Sequence, residues 1–515
     1  MKENDEMLLT VGEIFGENMV LQQGKPVAIW GKGLPKEEVE ISIQDHLVKT
    51  LVAEDGNWKA MLPELKASER EELQIQSRAE EIRFQNIAVG EVWLAGGQSN
   101  MEFFMRYDKD FKASIEECEN SKIRFFDYPV IPSEKDRTTK DYSEFGFWRV
   151  CDKENLQYYS AVAYYFAQNL QKDLGVPVGI VGCNCGGTRS CCWMDEDRVK
   201  KYGEVWIKDY EEGLEQINDL EKAEQDYRNN PMTDKAHPFA NLIADKLMYG
   251  VSPEELQEML AHVFQGDDSG NMDLIGPWHE WRPSGLYHTM LKHVIPYTVR
   301  GVIWYQGESD EDHPELYADM MGGVIECWRE EWGESFPFLI TQLAPFGDKI
   351  GTGGTYYPIL REQQEIVAKR VKDVYCASIG DVGNEYDIHP KEKKPVGTRL
   401  ALLARGHVYG EKILCDAPVA DARKNEEDRI IISFSNAEGG LHLKGTEVNA
   451  IQILHDGQIV DPQEYHCKIA ENQLQILFDK KKEDIDTYKI EFAKTPYYEV
   501  NLYNEAEIPV KPFSI

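Results

Sequence analysis

The sequence predicts an α/β protein: a three-layer domain built on a parallel sheet, flanked by an N-terminal and a C-terminal β-rich, sandwich-like domain. Three changes of texture carry this. From about Leu8 to Ile87, short segments alternate apolar and polar residues between turn signals, the pattern of half-buried strands. From about Gly90 to Gly406, continuous apolar runs follow amphipathic helices, as in a parallel sheet covered on both faces. From about Ala417 to Ile515 alternation returns. A chain of 515 residues exceeds one ordinary core, so several domains are expected.

The first zone, 1–89, reads as a small β-sandwich. Val39, Ile41 and Ile43 alternate with polar neighbours, and Asp55-Gly56-Asn57 is a hairpin signal. In the second zone, 90–406, AVAYYFAQNLQKDLG predicts a helix ending at Gly175, followed by the strand VPVGIVGCN. LYHTMLKHVIP and RGVIWYQGE repeat helix and strand; FPFLITQLAPF is a further strand. ILREQQEIVAKRV predicts a helix and VYCASIGDV a strand leading into a loop. A charged, helix-rich insertion occupies about 195–283, with DYEEGLEQINDLEKAEQDYRNN and SPEELQEMLAHVF as its clearest helices. It is either a surface embellishment or a lid, since the aromatic WHEWRP at its end suits sugar faces. The third zone, 407–515, holds RIIISFSNA, VNAIQILHDGQIV, LQILFDKKK and TYKIEFAK as strands.

Composition narrows the function. Hydrophobic content of 42% with 11% aromatics describes a globular chain rather than a disordered one. A net charge of −35 disfavours nucleic acid and anionic membrane surfaces, which need a basic footprint. No apolar run reaches the roughly 20 residues that span a bilayer. The acidic start MKENDEMLLTVGEIF lacks an export pattern, so the expected location is the cytoplasm. Cys183, Cys185, Cys191 and Cys192 lie close together, but VGCNCGGTRSCCW lacks the paired C-x-x-C knuckles of a zinc site. They read as structural thiols.

Chemistry gathers where strands end, because loops emerge there. In EVWLAGGQSNMEF an apolar strand must turn sharply at Gly96-Gly97, and Ser99 follows. A hydroxyl at such a corner stands clear of the sheet with backbone N–H groups around it; the bland alternative is a glycine turn with a serine cap. A second loop, Tyr305–Asp310, follows the strand GVIW, and a third, DVGNEYDIHPK, follows VYCASIG. An ester hydrolase needs a nucleophile, a base, an orienter and oxyanion donors. Ser99 supplies the first and His389 the second. Asp387 is the candidate orienter. The backbone N–H groups of Ser99 and Gly186 and the amide of Gln306 are candidate donors. The bland readings are a packing histidine, a turn-capping aspartate and a glutamine that satisfies buried backbone.

These segments resemble the sialate O-acetylesterase group of carbohydrate esterases, within the SGNH hydrolase superfamily. VGEVWLAGGQSNME is similar to its serine block, VPVGIVGCNCGGT to its glycine block, IWYQGESD to its third block and DIHPKEKKPVGTRLA to its histidine block. NMVLQQGKPVAIWG and DGNWKAMLP resemble its N-terminal β-domain, so the similarity runs over nearly the whole chain. The resemblance implies an SGNH-type three-layer domain and acetyl-ester hydrolysis on a sugar. Ser99 would be the nucleophile, His389 the base, Asp387 its partner, and Gly186 and Gln306 the oxyanion hole. No metal or organic cofactor is implied. Three positions depart from the pattern: Tyr386 stands where Asp often precedes the histidine, Asp310 where Asn is common, and His288 where Asn is usual in LYNGM. A Ser–His dyad therefore stays open beside the triad. Substrate-binding candidates are Asn100, Glu308 and His288, with Arg189 and Arg282 as cations for a sugar carboxylate. Met101 and Trp304 are candidate walls of a small acyl pocket. The expected partner is an O-acetylated mono- or oligosaccharide: a sialate ester, or alternatively a xylan- or mannan-derived one. A non-catalytic carbohydrate-binding protein is the reading from another class; a lipase or peptidase is weaker, for want of an apolar lid or a side-chain pocket.

Overall fold

The computed structural model describes residues 9–515 apart from 79, 231–232, 237–238, 240–241, 253, 256–274, 348–352 and 483. The chain forms two compact units: Met1–Gln306 with Asp319–Phe338, and Gly307–Ala318 with Leu339–Ile515.

In the first unit one strand, Glu81–Gly97, does two jobs. Its first six residues alternate exposed and half-buried, and from Ile87 onward every residue is buried. The alternating half pairs antiparallel with Ser68–Gln76. The buried half runs parallel to Val178–Asn184 on one side and Gly301–Tyr305 on the other. Burial on both faces is why the sequence there is an unbroken apolar run. The strand passes through residues 89 and 90 without a break, so the N-terminal β-region and the central sheet share it. Asn120–Asp127 lies parallel on the far side of Val178–Asn184, and Trp148–Cys151 adds an antiparallel edge. The sheet is therefore parallel through its centre, as expected, with one antiparallel strand at its edge. The helix Ala161–Leu174 starts at Ser160, whose Oγ accepts the Ala163 N–H (3.2 Å), and stops at Gly175 with φ 72°. Its buried face includes Val162, Phe166 and Leu170; each such side chain contributes about 1.5–3 kcal/mol on leaving water.

The Asp55-Gly56-Asn57 turn forms, with Gly56 at φ 82°. It closes no ladder, because His46–Leu51 pairs with Glu38–Ile43 while Asn57–Leu62 pairs with Val27–Lys32. The turn is a corner between two sheets. In the insertion, the helix expected as one piece over 209–230 is two, Glu196–Glu215 and Leu220–Asn229, because the Asp219 side chain caps the second by accepting the Lys222 N–H. A third helix spans Leu242–Tyr249. The helix expected over 252–264 lies largely outside the described residues.

In the second unit Phe338–Thr341 neighbours Val374–Ala377, and the helix Tyr357–Arg370 joins them. The 381–393 loop then leads into the helix Lys394–Leu403, whose first turn carries Pro395. Beyond it, two four-stranded sheets enclose Ile430, Ile432, Leu474 and Ile476 together with Ile453, Ile490 and Phe492. Among the described residues no helix is long and apolar enough to cross a membrane.

Candidate active site

The serine corner is dictated by two glycines. A methyl at Gly96 would lie 2.9 Å from the Trp304 ring, and one at Gly97 would lie 2.1 Å from the Tyr305 carbonyl. Gly97 also takes φ 137°, which L side chains rarely adopt. Only bare backbone lets the chain turn here. The Gln98 N–H then donates to the Tyr305 carbonyl (3.0 Å), and Ser99–Glu102 forms one helical turn. Ser99 is 9% exposed, and Asn100 and Met101 are buried.

Three strand ends lie at one level, because Gly97 is in register with both Asn184 and Tyr305. The loop after Asn184 turns back at once: the Cys185 N–H donates to the Gly97 carbonyl (3.1 Å), and Gly187 takes φ 75°. Gly186 is thereby pressed onto the serine turn, where a methyl would stand 3.4 Å from Ser99 Cβ and 3.1 Å from Glu102 Oε2. Gln306 closes the third side, its Nε2 donating to the Thr188 carbonyl (3.1 Å). Ser99, Gly186 and Gln306 are thus brought into one place within the first unit.

The Gly186 N–H has a partner that sequence reasoning missed. It donates to Glu102 Oε2 at 2.6 Å. Burial pushes the Glu102 carboxyl above the ordinary range, against the opposing pull of Lys235 and of this N–H. Asp127, half-buried, is pushed well up by desolvation and then by Glu102. Lys235 pairs with Glu280 (3.6 Å), and Tyr227 also donates to Glu280. His279 Nδ1 accepts the Trp281 N–H (3.1 Å), so its 3.3 Å approach to Glu280 is a contact of a neutral ring; burial holds its pKa down. Trp281 reaches the glycine loop directly: its Nε1 donates to the Gly186 carbonyl (3.1 Å), and its ring fills the space a Gly187 methyl would need. Glu102 was visible in GQSNME as a carboxyl one turn after the serine; Trp281 stood out only within the aromatic WHEWRP, with nothing to tie it to the glycine loop.

The remaining predicted residues have the following surroundings. Arg282 spends its Nη1 on the Pro132 and His279 carbonyls. The Arg189 guanidinium sits 4.8 Å over the Trp206 ring. His288, expected near the pocket, is exposed and bonded through Nε2 to Glu196 (2.8 Å); the turn that carries it, Tyr287–Leu291, presents it to solvent while Tyr287, Met290 and Leu291 go inward. Trp304 packs edge-on against Trp193 and Trp328, fully buried. Met101 is equally buried, with Ser160 Oγ on its carbonyl (2.6 Å). The four clustered cysteines are buried free thiols, and burial raises the Cys183 and Cys185 thiols.

In the second unit the histidine loop is pinned at its start. Arg399 holds Asp381 through two bonds of 2.6 and 2.8 Å, the bidentate pairing that fixes geometry as well as charge. Gly383 packs on Pro345, whose carbonyl accepts the Asn384 N–H (3.1 Å). Asn384 Oδ1 then accepts the N–H groups of Tyr386 and Asp387 (2.8 and 3.0 Å). Asp387 continues the chain of caps: Oδ1 accepts the main-chain N–H of His389 (2.9 Å), and Oδ2 pairs with Lys391 (2.9 Å). Both carboxylate oxygens are taken by groups other than the imidazole. His389 is half-buried; burial first, then the Lys393 and Lys391 cations, hold its pKa well below the usual histidine value. Glu308 is buried in the short turn Glu308–Asp310, entered at Gly307 with φ 146°.

The chain is similar to several known proteins. The family described as carbohydrate esterase, sialic acid-specific acetylesterase, matches residues 274–403. The sialate O-acetylesterase of Mus musculus is 28% identical over 440 residues, 77% of this chain and 73% of the relative. That of Homo sapiens is 25% identical over 439 residues, covering 78% and 71%. A carbohydrate acetylesterase from Xanthomonas citri superposes with a TM-score of 0.74 at 25% identity, covering 99% of each chain. The chain is therefore similar to sialate O-acetylesterases over most of its length, and its residues 274–403 match the carbohydrate esterase family of sialic acid-specific acetylesterases.

Proposed function

We propose that the chain releases acetate from O-acetylated carbohydrates by serine catalysis. The observation that carries this is the packing of Gly186 onto the Ser99 turn, which supports a nucleophile with backbone N–H groups beside it. In this reading Ser99 Oγ attacks the acetyl carbonyl carbon while His389 takes its proton. The carbonyl oxygen becomes an oxyanion, which receives the N–H groups of Ser99 and Gly186 and the Gln306 amide. His389 returns the proton to the departing sugar hydroxyl, leaving acetyl-Ser99. Water then attacks the acetyl carbon with His389 again as base, the bond to Ser99 Oγ breaks as His389 hands that proton to Oγ, and acetate leaves. For Gly186 to serve, its N–H must be exchanged from, or shared with, Glu102; a carboxyl that burial favours in its neutral form gives up such a bond more readily than a carboxylate. The partners of Asp387 favour a Ser–His pair, with the aspartate bracing the loop rather than orienting the ring.

Sialate esters are the first substrates to try, since the curated relatives carry that activity in their names. Acetylated xylo- and manno-oligosaccharides are the second reading. It is favoured by the engagement of Arg282 with backbone carbonyls and of Arg189 with Trp206, which leaves neither poised for a substrate carboxylate. Acetate release from the three substrates should fall about 10³–10⁴-fold or more in Ser99→Ala, with no further loss on adding His389→Ala, because residues that act as a unit are not additive. Normal turnover in Ser99→Ala would remove the serine assignment; sugar binding without any turnover in the parent would leave the carbohydrate-binding reading.

A further inference from the structure

We infer that His407, Cys415 and Asp416 form a zinc-binding site in the second unit, apart from the esterase residues. The three side chains offer one nitrogen, one sulfur and one oxygen, all within 4.8 Å of one another. His407 Nε2 lies 3.0 and 2.9 Å from the two Asp416 oxygens, and Cys415 Sγ lies 3.6 Å from Asp416 Oδ2. Zinc bonds of about 2.0–2.3 Å at tetrahedral angles place ligand atoms about 3.3–3.6 Å apart. Two of the three ligand pairs already lie at or near this spacing, and with all three atoms within 4.8 Å of one another the cluster closes on a cation by side-chain shifts of about an ångström.

The ligands are also held in place. The His407 ring stacks on Tyr375, with centroids 3.9 Å apart and planes 10° from parallel, which fixes the imidazole plane. Cys415 is buried with Sγ directly over Gly406, where a methyl would come within 2.3 Å of the sulfur; the glycine preceding His407 makes room for the thiol. Asn504 Nδ2 donates to the Asp416 carbonyl (3.1 Å), anchoring the third ligand's backbone. His407 itself belongs to the wide turn Ala404–Val408 that follows the helix Lys394–Leu403; such turns recur at functional sites. Thiolate beside imidazole selects zinc over magnesium or calcium, which take oxygen ligands. Three protein ligands leave a fourth position for water. With His407 part-exposed and no nucleophile beside it, the site acts as a clip. It ties 404–408 to 415–416, where the helix that follows the histidine loop gives way to the C-terminal sheets.

The test uses the full chain after chelator treatment, with cobalt(II) as the probe. Cobalt in a thiolate-containing tetrahedral site gives intense visible bands and a sulfur-to-metal charge-transfer band. We expect these bands to saturate at one equivalent, to disappear on adding zinc, and to be lost in both Cys415→Ala and His407→Gln. His407→Gln is at the surface and keeps the comparison interpretable if the cysteine variant folds poorly. Zinc should also raise the thermal midpoint of the parent and not that of His407→Gln. Absence of saturable bands, or bands that survive in either variant, would overturn the site; the first outcome would leave a plain His407–Asp416 ion pair, the second would assign the metal to other thiols.

Discussion

His389 is kept neutral by its surroundings. Burial disfavours the imidazolium, and the Lys393 and Lys391 ammonium groups repel it. In the proposed mechanism His389 is the base, and a base held below the ordinary value of about 6.5 stays competent in mild acid, so the acid limb of kcat/KM should lie well under pH 6. Lys391→Met removes one cation and leaves Asp387 uncompensated; both changes favour the protonated ring. The acid limb should therefore move up by about one pH unit. An unmoved limb would show that another group controls it. Stability follows the same linkage. Below the unfolded value of about 6.5 the unfolded chain binds a proton that the folded ring refuses, so folding weakens as pH falls through that range, and less steeply in Lys391→Met. Gly97 makes a different residue-level claim. Its φ of 137° and the 2.1 Å approach to the Tyr305 carbonyl leave no space for a side chain. Gly97→Ala should lower unfolding free energy by about 2–5 kcal/mol, combining backbone strain and overpacking; a urea midpoint near the parent's would contradict the steric argument.

At the level of elements, the candidate loops were legible because each breaks a local pattern. An apolar run stops at Gly96-Gly97, and another stops at Tyr305 before Gln306. What holds the loops was not legible, because it comes from distant sequence. Trp281 returns to Gly186 across 95 positions, and although the sequence marks WHEWRP as an aromatic end to the insertion, nothing in it names the glycine loop as its partner. The long strand shows the same limit: its alternating and unbroken halves invite a boundary near residue 89, whereas hydrogen bonding carries it straight through. The Trp281 contact has a kinetic consequence. Loss of the indole N–H frees the Gly186 carbonyl and so loosens Gly186, whose own N–H, in the preceding peptide unit, faces Glu102. Trp281→Phe should reduce kcat about 10–100-fold, the scale of a misplacement near 1 Å, with KM changed little and the melting curve close to the parent's. A fall in KM-dependent binding alone would instead place Trp281 against the sugar.

For the whole molecule, the α/β class and the flanking β-sheets follow from texture spread over hundreds of residues, which survives local misreadings. The antiparallel edge Trp148–Cys151 did not follow, since four residues carry too little periodicity to reveal a direction. Net charge is the other property of the whole chain that sequence gives directly, and it bears on substrate choice. At −35 the protein repels an anionic sugar over distances that salt screens within about 8–10 Å. A neutral acetylated xylo-oligosaccharide feels none of this. Raising ionic strength from about 20 to about 200 mM should therefore raise kcat/KM for an O-acetyl sialate about two- to fivefold, while the neutral substrate changes little. The ratio of the two, measured at fixed pH by acetate release, isolates the long-range field from salt effects on folding. A ratio that falls with salt would mean that a cation at the site outweighs the surrounding acidity, and would return Arg189 or Arg282 to the substrate's carboxylate.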